Sequence, residues 1–376
     1  MQLAFDQYRQ KASQLPFGLL GTAGALVAIG LAFIASASAG EGGFVSRQTI
    51  FLAAGAFLML LIAFTDYRKL VPFYWVAYLG GIALLVACML FGKTVNGAKS
   101  WFMIGGFGIQ VSEFCKLAYI ITLAGFLRYR RNTESLIHMG AILGLTAVML
   151  GFILLQPDFG TAMTFIPVFF ALMWCSGARA KFLIPMILAG AMLMPAAYLT
   201  GLFRPHQMAR INTYLASLTG GPLDQAGDGY HITMSMNAIG SGGFFGKGYS
   251  DGSIGQLDYL PERHTDFIFS VIAEELGFMG SLLITALYLT FLVFCLMVAG
   301  RTKEPFGRAL AVGVATMFFA QFVINVGMTC GAMPVTGIPL PFISYGGSSL
   351  ITSLLALGMV VSVHLHPSHV LGRELE

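Results

Sequence analysis

Residues 267–299, FIFSVIAEELGFMGSLLITALYLTFLVFCLMVA, decide the fold class of this chain. The run contains two charged side chains, Glu274 and Glu275, and it exceeds the roughly 20 residues with which a helix crosses a bilayer. The whole chain has the same character: its 376 residues are 57% hydrophobic and 10% charged, whereas soluble domains carry about 25% charged residues. A transmembrane β-barrel would show short alternating segments instead. The sequence therefore predicts an all-α, polytopic integral membrane protein.

Nine further apolar runs have the length of a membrane span, so we expect about ten transmembrane helices. The ten lie near residues 17–38, 48–65, 73–91, 112–129, 138–155, 160–176, 182–203, 267–299, 307–333 and 346–365. Two connections are long, residues 92–111 and the large loop of residues 204–266. We expect residues 1–376 to form a single membrane domain. The 21 Lys and Arg residues are scattered among loops, which argues against nucleic-acid binding.

The distribution of Lys and Arg predicts the orientation. Thirteen of them fall on one side of the spans and eight on the other, and the acids bring the two sides to +7 and −3. Because cytoplasmic loops carry the excess of Lys and Arg, we expect both termini inside and the two long connections outside. Ala35-Ser36-Ala37 imitates a signal-peptidase site. The apolar run before it is longer than the 7–15 residues of a signal peptide, so we expect an uncleaved span.

Glu113 and Lys116 open the fourth predicted span, where charges are costly and therefore informative. They are three residues apart and share a helix face. Two interpretations stay open. The pair neutralises itself at the membrane edge, or Lys116 holds an anionic group such as a phosphate while Glu113 orients it. In the preceding loop, Trp101 is either an interfacial anchor or a platform for a sugar ring.

Asp158 lies in a tight turn, Gln156 to Thr161, between the fifth and sixth predicted spans. Its Pro and Gly residues favour a turn at this point. The simplest role for the carboxylate is to cap the next helix, and a contact to a ligand is the alternative.

The large loop is rich in glycine and carries several cations. Arg204 and Arg210 lie near its beginning, and Lys247 lies between two glycines. The phosphate-loop pattern G-x-x-x-x-G-K-[ST] fails, because Ser241 replaces its first glycine and Gly248 its final Ser or Thr. We interpret the glycines as a flexible surface on which the backbone can approach a ligand closely.

The loop ends at Asp266, which we place in the first turn of the eighth span. A carboxylate at the membrane boundary, beside Arg263 and His264, has the properties of a general base. The alternative is a charge that only stabilises the helix N-terminus. Glu274 and Glu275 follow about 12–14 Å deeper at 1.5 Å per residue, where a proton or ion pathway is one explanation for them. No metal-binding motif occurs, so no dedicated metal site is predicted.

Five stretches, in this order, resemble the SEDS (shape, elongation, division and sporulation) family of bacterial wall polymerases over nearly the whole chain. They are Asn96-Gly97-Ala98 with Trp101; Ser112-Glu113 with Lys116; Gln156 to Thr161; Leu260 to Phe269; and Asn325, Gly331, Pro334, Gly337, Pro339-Leu340-Pro341-Phe342 and Ser344-Tyr345-Gly346-Gly347-Ser348. Arg263 after Glu262 is more similar to the RodA branch than to the FtsW branch. The chain departs from the family at Val111, where proline is usual, and over residues 218–228, which lack an Asp-Pro turn.

The resemblance implies a peptidoglycan glycosyltransferase of the bacterial cytoplasmic membrane that serves cell elongation and shape. Its substrate would be lipid II, the undecaprenyl-diphosphate-linked disaccharide-pentapeptide, and Asp266 would be the catalytic base. Together with nearby charges it predicts substrate contacts from Lys116, Glu113, Trp101, Arg204, Arg210, Asp158, Lys247, Arg263 and His264. Its implied partners are a class B penicillin-binding protein transpeptidase and the elongation (rod) complex. A divalent cation, Mg²⁺ or Mn²⁺, is the one cofactor considered.

Two rival functions make different predictions. A transporter that flips lipid II would use acids deep in the spans, such as Glu274, and would need no base in the large loop. The polymerase instead needs a base in the large loop and no functional acids deep in the spans. A structural scaffold for the elongation machinery predicts that Asp266→Ala is harmless.

Overall fold

The computed structural model describes residues 14–38, 43–95, 98–104, 107–128, 136–201, 205–219, 221, 227–253 and 260–367. Over these residues the chain forms a bundle of helices, which are α1 (Phe17–Ala37), α2 (Phe44–Phe64), α3 (Tyr74–Phe91), α4 (Val111–Leu127), α5 (Leu136–Leu155), α6 (Phe159–Cys175), α7 (Ala180–Leu199), α8 (Pro205–Thr219), α9 (Asp228–Ser241), α10 (Ile268–Arg301), α11 (Pro305–Thr329) and α12 (Gly347–Leu365). A 3-10 helix, Tyr67–Phe73, leads into α3.

The bundle confirms the predicted helical membrane class, and each predicted span has a corresponding helix. Among the described residues, eight helical segments are long and apolar enough to cross a membrane. Helices α4 and α6 have 17 residues each and are shorter. The chain is therefore a multi-span membrane protein, and the count of ten spans stays a prediction.

The connection before α4 is a small antiparallel sheet, which the all-α expectation missed. Its strands are β1 (Lys93–Val95), β2 (Ala98–Ile104) and β3 (Phe107–Gln110), in the order β1-β2-β3. Aromatic and β-branched side chains favour strands here. Trp101 of β2 is paired in register with Gln110 of β3, and β3 runs directly into α4. The sheet thus fixes Trp101 beside the start of α4.

The large connection between α7 and α10 contains two helices rather than a continuous loop. Helix α8 begins at Pro205, a residue favoured in the first turn of a helix. Helix α9 follows Gly227, whose φ of 70° is easily adopted by glycine. The glycines within and after α9 favoured the prediction of a loop, although α8 itself contains no glycine. Arg204 lies outside the described residues.

Helices α11 and α12 form the interior of the bundle and are largely buried. Helix α12 packs against α2 and α11. A cluster of aromatic rings holds the segment before α12 against the bundle: the ring of Phe342 lies 5.3 Å from Phe291 of α10 and 5.2 Å from Phe318 of α11, centroid to centroid. This packing fixes the position at which α12 begins.

Helix α10 is broken at Gly277, where φ is 66° and ψ is −163°. The glycine-rich segment after α9 enters the break and replaces the lost helical hydrogen bonds. Four backbone N–H groups donate in this way: Lys247 to the carbonyl of Glu274, Gly248 to that of Glu275, Phe278 to that of Gly243, and Met279 to that of Phe244. The short piece of α10 that follows Asp266 is therefore locked to this segment.

The two buried glutamates beside the break have protein partners. Glu274 accepts hydrogen bonds from Lys247 Nζ at 2.6 Å and from Ser253 Oγ at 3.3 Å. Glu275 accepts from the hydroxyl of Ser36 and from the N–H of Ser250 at 3.1 Å. Buried charges need such partners, and these contacts account for both acids without a proton pathway.

Candidate active site

A cavity of about 590 Å³ lies at the end of the bundle where the sheet, α8 and α9 meet. Its size is typical of ligand sites. Five parts of the chain form its wall: the sheet, the start of α6, helices α8 and α9, the turn before α10, and the segment that leads into α12. Its polar lining consists of Ser100, Gln110, Asp158, Arg210, Asp228, His231, Glu262, Thr265, Asp266, Thr336, Tyr345, Ser348 and Ser349.

Asp266 lies in a tight turn that precedes α10. The carbonyl of Glu262, a residue with φ 53°, accepts the Asp266 N–H at 3.1 Å. From α11, Asn325 Nδ2 donates to the carbonyl of Asp266 at 2.9 Å and to that of Ile338 at 2.7 Å. These bonds tie the turn to the proline-rich segment before α12. Because α10 begins at Ile268, the expectation that Asp266 lies in its first turn is wrong by two residues.

The side-chain carboxylate of Asp266 is not engaged by other groups of the described protein. Among the described residues it accepts no hydrogen bond, and Gly337 allows the backbone to approach it, since a Cβ there would lie 3.3 Å from Oδ2. Burial, with a further contribution from the carboxylate of Glu262, raises the pKa of Asp266 to about 7, while Arg210 opposes the shift. A carboxylate with a pKa near neutrality is suited to general base catalysis.

Asp158 lines the same cavity but is fully engaged. Its Oδ1 accepts the N–H of Thr161 at 3.1 Å, so it caps α6 as the simpler interpretation predicted. Its Oδ2 accepts from Ser112 Oγ at 2.6 Å and from Gln110 Nε2 at 3.2 Å. The carboxylate therefore joins α4, α6 and the sheet.

Arg210 and Trp101 are the other predicted residues that line the cavity. The guanidinium of Arg210 lies 3.3 Å from the carboxylate of Asp228 across α8 and α9. The ring of Trp101 packs on Gly108, where a Cβ would lie 3.0 Å from it. Both are placed to contact a ligand in the cavity.

Two residues of this wall have charged or titratable side chains to which the sequence gives no role. Asp228 and His231 are three apart on α9 and so share a face. The His231 ring stacks on Phe267 with centroids 5.9 Å apart, and its Nδ1 is buried without a hydrogen-bond partner among the described residues. The Gly-Tyr-His run was visible in the sequence, but nothing in it indicated which way the imidazole faced.

Glu113 and Lys116 do not line the cavity. Lys116 Nζ lies 2.6 Å from Glu113 Oε1, and both side chains are 3% exposed. Lys116 borders a separate small space beside Tyr119 and Thr164 instead. This geometry matches the self-neutralising interpretation of the pair.

Three further predicted contacts also lie outside the cavity lining. Lys247 binds Glu274, as described above. Arg263 is buried, and its Nε donates to the carbonyl of Ala37. The ring of His264 packs against Phe44, with centroids 4.4 Å apart. Arg263 and His264 thus hold the turn that carries Asp266, whereas Lys247 holds α10 at Glu274. The prediction for Arg204 falls outside the described residues.

A metal site made only of protein ligands is not found in the described part of the chain, where no three His, Cys, Asp or Glu residues cluster. The carboxylates that line the cavity are separately engaged or isolated. The residues present therefore do not by themselves fit a resident Mg²⁺ or Mn²⁺ ion.

The fold and the cavity define a multi-span membrane protein with a buried carboxylate of raised pKa at one end of its helical bundle. Residues 13–369 match the sequence profile of the cell cycle protein family that comprises FtsW, RodA and SpoVE. The chain belongs to this family, as its motifs predict.

Known relatives match over nearly their whole length. The peptidoglycan glycosyltransferase RodA of Treponema pallidum is 33% identical, with 94% of this chain and 98% of that protein covered. The probable peptidoglycan glycosyltransferase FtsW of Tolumonas auensis is 35% identical over 95% of each. A chain in the solved structure of a peptidoglycan synthase complex, which coordinates polymerization and crosslinking, is 32% identical with a TM-score of 0.81 and covers 93% of this chain and 97% of that one.

Proposed function

We propose that this chain polymerises lipid II at the outer face of the cytoplasmic membrane, with Asp266 as the general base. The chain is a peptidoglycan glycosyltransferase, as its family membership and the names of its relatives indicate. The observation that best supports the role of Asp266 is its uncommitted carboxylate, with a pKa of about 7, in the wall of a cavity of about 590 Å³.

In the proposed reaction, Asp266 removes the proton from the 4-hydroxyl of the acceptor sugar as that oxygen attacks the anomeric carbon of the donor. The new C–O bond forms while the bond to the diphosphate breaks, and the polyprenyl diphosphate leaves with the electron pair. Arg210 supplies positive charge inside the cavity. Trp101 offers an aromatic face for a sugar, and the spans offer apolar surface for the polyprenyl chain.

The proposal includes partners and an orientation. Similarity to a chain of a peptidoglycan synthase complex supports a class B penicillin-binding protein as the crosslinking partner, within the elongation (rod) complex. The excess of Lys and Arg on one side supports cytoplasmic termini and an outward cavity. No step runs through a metal ion, and a remaining need for Mg²⁺ or Mn²⁺ is tested by adding EDTA to the assay.

The test is polymerisation of lipid II by the purified chain with its partner in a transpeptidase-dead form. Moenomycin silences contaminating polymerases of the unrelated class. We expect glycan ladders from the wild type and none from a folded Asp266→Ala variant. Ladders from neither protein would favour the flippase alternative, which translocation of lipid II across liposomes then tests. Equal ladders from both proteins would support the polymerase and contradict the role of Asp266 as its base.

A further inference from the structure

The N-terminus of α12 opens into the cavity without a cap. Gly346 is the N-cap residue and has no side chain to offer, and its carbonyl accepts the N–H of Leu350 at 2.9 Å. The preceding N–H groups, those of Gly347, Ser348 and Ser349, find no acceptor among the described residues. All four residues from Gly346 to Ser349 line the cavity. Unpaired N–H groups at the positive end of a helix dipole favour an anion.

Ser349 gives an independent indication of a ligand. It is 7% exposed and lines the cavity, yet its hydroxyl has no hydrogen-bond partner in the described part of the chain. The neighbouring Ser348 differs, because its hydroxyl accepts the N–H of Gln110 at 2.9 Å and donates to the carbonyl of Gly108 at 3.3 Å. The Ser349 hydroxyl is not among the fully enclosed polar atoms of the described residues that lack a partner. It is therefore reached from the cavity and is available to a ligand there.

Side-chain cations give an anion little support in this cavity. The described lining residues carry four carboxyl groups, those of Asp158, Asp228, Glu262 and Asp266. Arg210 is the one guanidinium among them, and Asp228 already lies 3.3 Å from it. Lys116 and Lys247 each lie 2.6 Å from a glutamate outside the cavity lining. Among the described residues, α12 provides donors of another kind for an anionic substrate.

We propose that the N-terminus of α12 binds the diphosphate of the polyprenyl-linked substrate through the N–H groups of Gly347, Ser348 and Ser349 and the hydroxyl of Ser349. The identity of the anion rests on the proposed function, and the position of the site is new. The three N–H groups and the helix dipole also complement the charge that grows on the diphosphate as it leaves. The same end of α12 then holds the substrate before transfer and the lipid diphosphate after it.

A matched pair of variants tests the site. Ser349→Asp places a carboxylate among the free N–H groups and competes with the anion, whereas Ser349→Asn has nearly the same size and no charge. We expect undecaprenyl diphosphate to bind Ser349→Asp at least about tenfold more weakly than Ser349→Asn. Ser349→Ala keeps the N–H groups and should lose about two- to tenfold. Because a carboxylate stabilises a helix N-terminus, Ser349→Asp should melt no lower than Ser349→Asn, which separates lost binding from unfolding.

The probes separate the diphosphate from the lipid. Undecaprenyl diphosphate, undecaprenol and inorganic pyrophosphate are titrated against the full-length protein in detergent. We expect undecaprenol to bind all variants equally, and pyrophosphate to bind weakly with the same order of variants as the lipid diphosphate. Equal affinity of Ser349→Asp and Ser349→Asn for undecaprenyl diphosphate would overturn the site. Pyrophosphate binding as tightly as the lipid diphosphate would overturn the lipid-linked identity of the ligand.

A labelling experiment covers the case in which Ser349→Asp does not fold. In a Cys330→Ala background, which removes an exposed thiol, the thiol of Ser349→Cys is reacted with a methanethiosulfonate reagent. Undecaprenyl diphosphate should slow the reaction, and undecaprenol should not. Equal rates with both lipids contradict the proposal.

The binding assays do not depend on turnover, so the two proposals can fail separately. If the wild type makes no glycan but binds undecaprenyl diphosphate with the expected order of variants, the proposed polymerase fails and the anion site stands. If Asp266→Ala abolishes ladders while Ser349→Asp and Ser349→Asn bind equally, the polymerase stands and the anion site fails.

Discussion

Asp158 and Asp266 line the same cavity, but their carboxylates differ in how many hydrogen bonds they accept from the protein. Asp158 accepts hydrogen bonds from Thr161, Ser112 and Gln110. Asp266 accepts none in the described part of the chain, and burial raises its pKa to about 7. The helix ends beside them differ as well, since Asp158 caps α6 while α12 is uncapped.

This difference indicates which groups hold the wall of the cavity and which are available to a ligand. A carboxylate that satisfies three donors stabilises the fold and is a poor base, because its hydrogen bonds favour the charged form. The uncommitted carboxylate and the uncapped helix end have no structural partner in the described part of the chain, and we propose that both act on the substrate. Four experiments test this division, from the largest expected effect to the smallest.

The largest effect is expected from Asp266→Asn. Removing a general base costs about 10²- to 10⁴-fold in rate, so kcat for lipid II polymerisation should fall by that factor. The raised pKa means that the folded state disfavours the charged carboxylate, so Asp266 lowers stability as pH rises from about 4 to about 7. The Asn variant should therefore melt at the wild-type temperature or above at pH 7. A wild-type kcat with Asp266→Asn would contradict the assignment of Asp266, and not Asp158, to catalysis.

Glu113 extends the comparison to a carboxylate with a single charged partner. Lys116→Met leaves the Glu113 carboxylate buried and unpaired, which should cost about 3–5 kcal/mol of folding stability. The double variant with Glu113→Gln should recover most of that loss, and thermal melting of the wild type, the two single variants and the double variant measures the coupling. Unchanged melting with lost lipid II binding would instead make Lys116 a substrate contact.

Asp158 should show a smaller, structural effect. Asp158→Ala removes the cap of α6 and the acceptor of Ser112 and Gln110, so it should lower stability by more than the about 1 kcal/mol of a lost cap. Asp158→Asn keeps a good capping residue and should lower stability less. Melting temperature and polymerisation rate are measured for both. An inactive Asp158→Asn protein with a normal melting temperature would show that Asp158 takes part in the reaction rather than only in the fold.

The smallest expected effect is a shift in the pH dependence of polymerisation activity. Asp266 acts as a carboxylate, so activity should be full above its pKa of about 7 and should fall as the pH drops below it. Glu262→Gln removes a nearby negative charge and should move this acidic limb to lower pH, by less than about one unit because Glu262 is exposed and screened. Asp251→Asn, an exposed acid outside the cavity lining, is the control and should leave the limb unmoved.

The helical bundle could be predicted from the sequence because a membrane span requires a long apolar run, and each predicted run has a helix. The sheet and helices α8 and α9 could not, because each is short and none of them is a long apolar run. Their stability comes from packing at the end of the bundle rather than from a strong local pattern.

The site was predicted in part. The motif around Asp266 identified the carboxylate, and the turn from Gln156 to Thr161 identified Asp158. The pairing of Lys116 with Glu113 was one of the two interpretations that the sequence left open. The partners of Lys247 and Arg263 could not be predicted, because they are distant in the chain and are set by tertiary packing. A charge in a sequence shows that a partner is needed, and only the fold shows whether that partner is a ligand.

The wall of the cavity takes residues from Ser100 to Ser349, so its parts are synthesised in widely separated stages. A chain interrupted after α10 would contain Asp266 but neither Asn325, which holds its turn, nor the N-terminus of α12. Incomplete products of translation would therefore lack a working site even when inserted in the membrane. The cavity wall is complete only when the final helix joins the bundle.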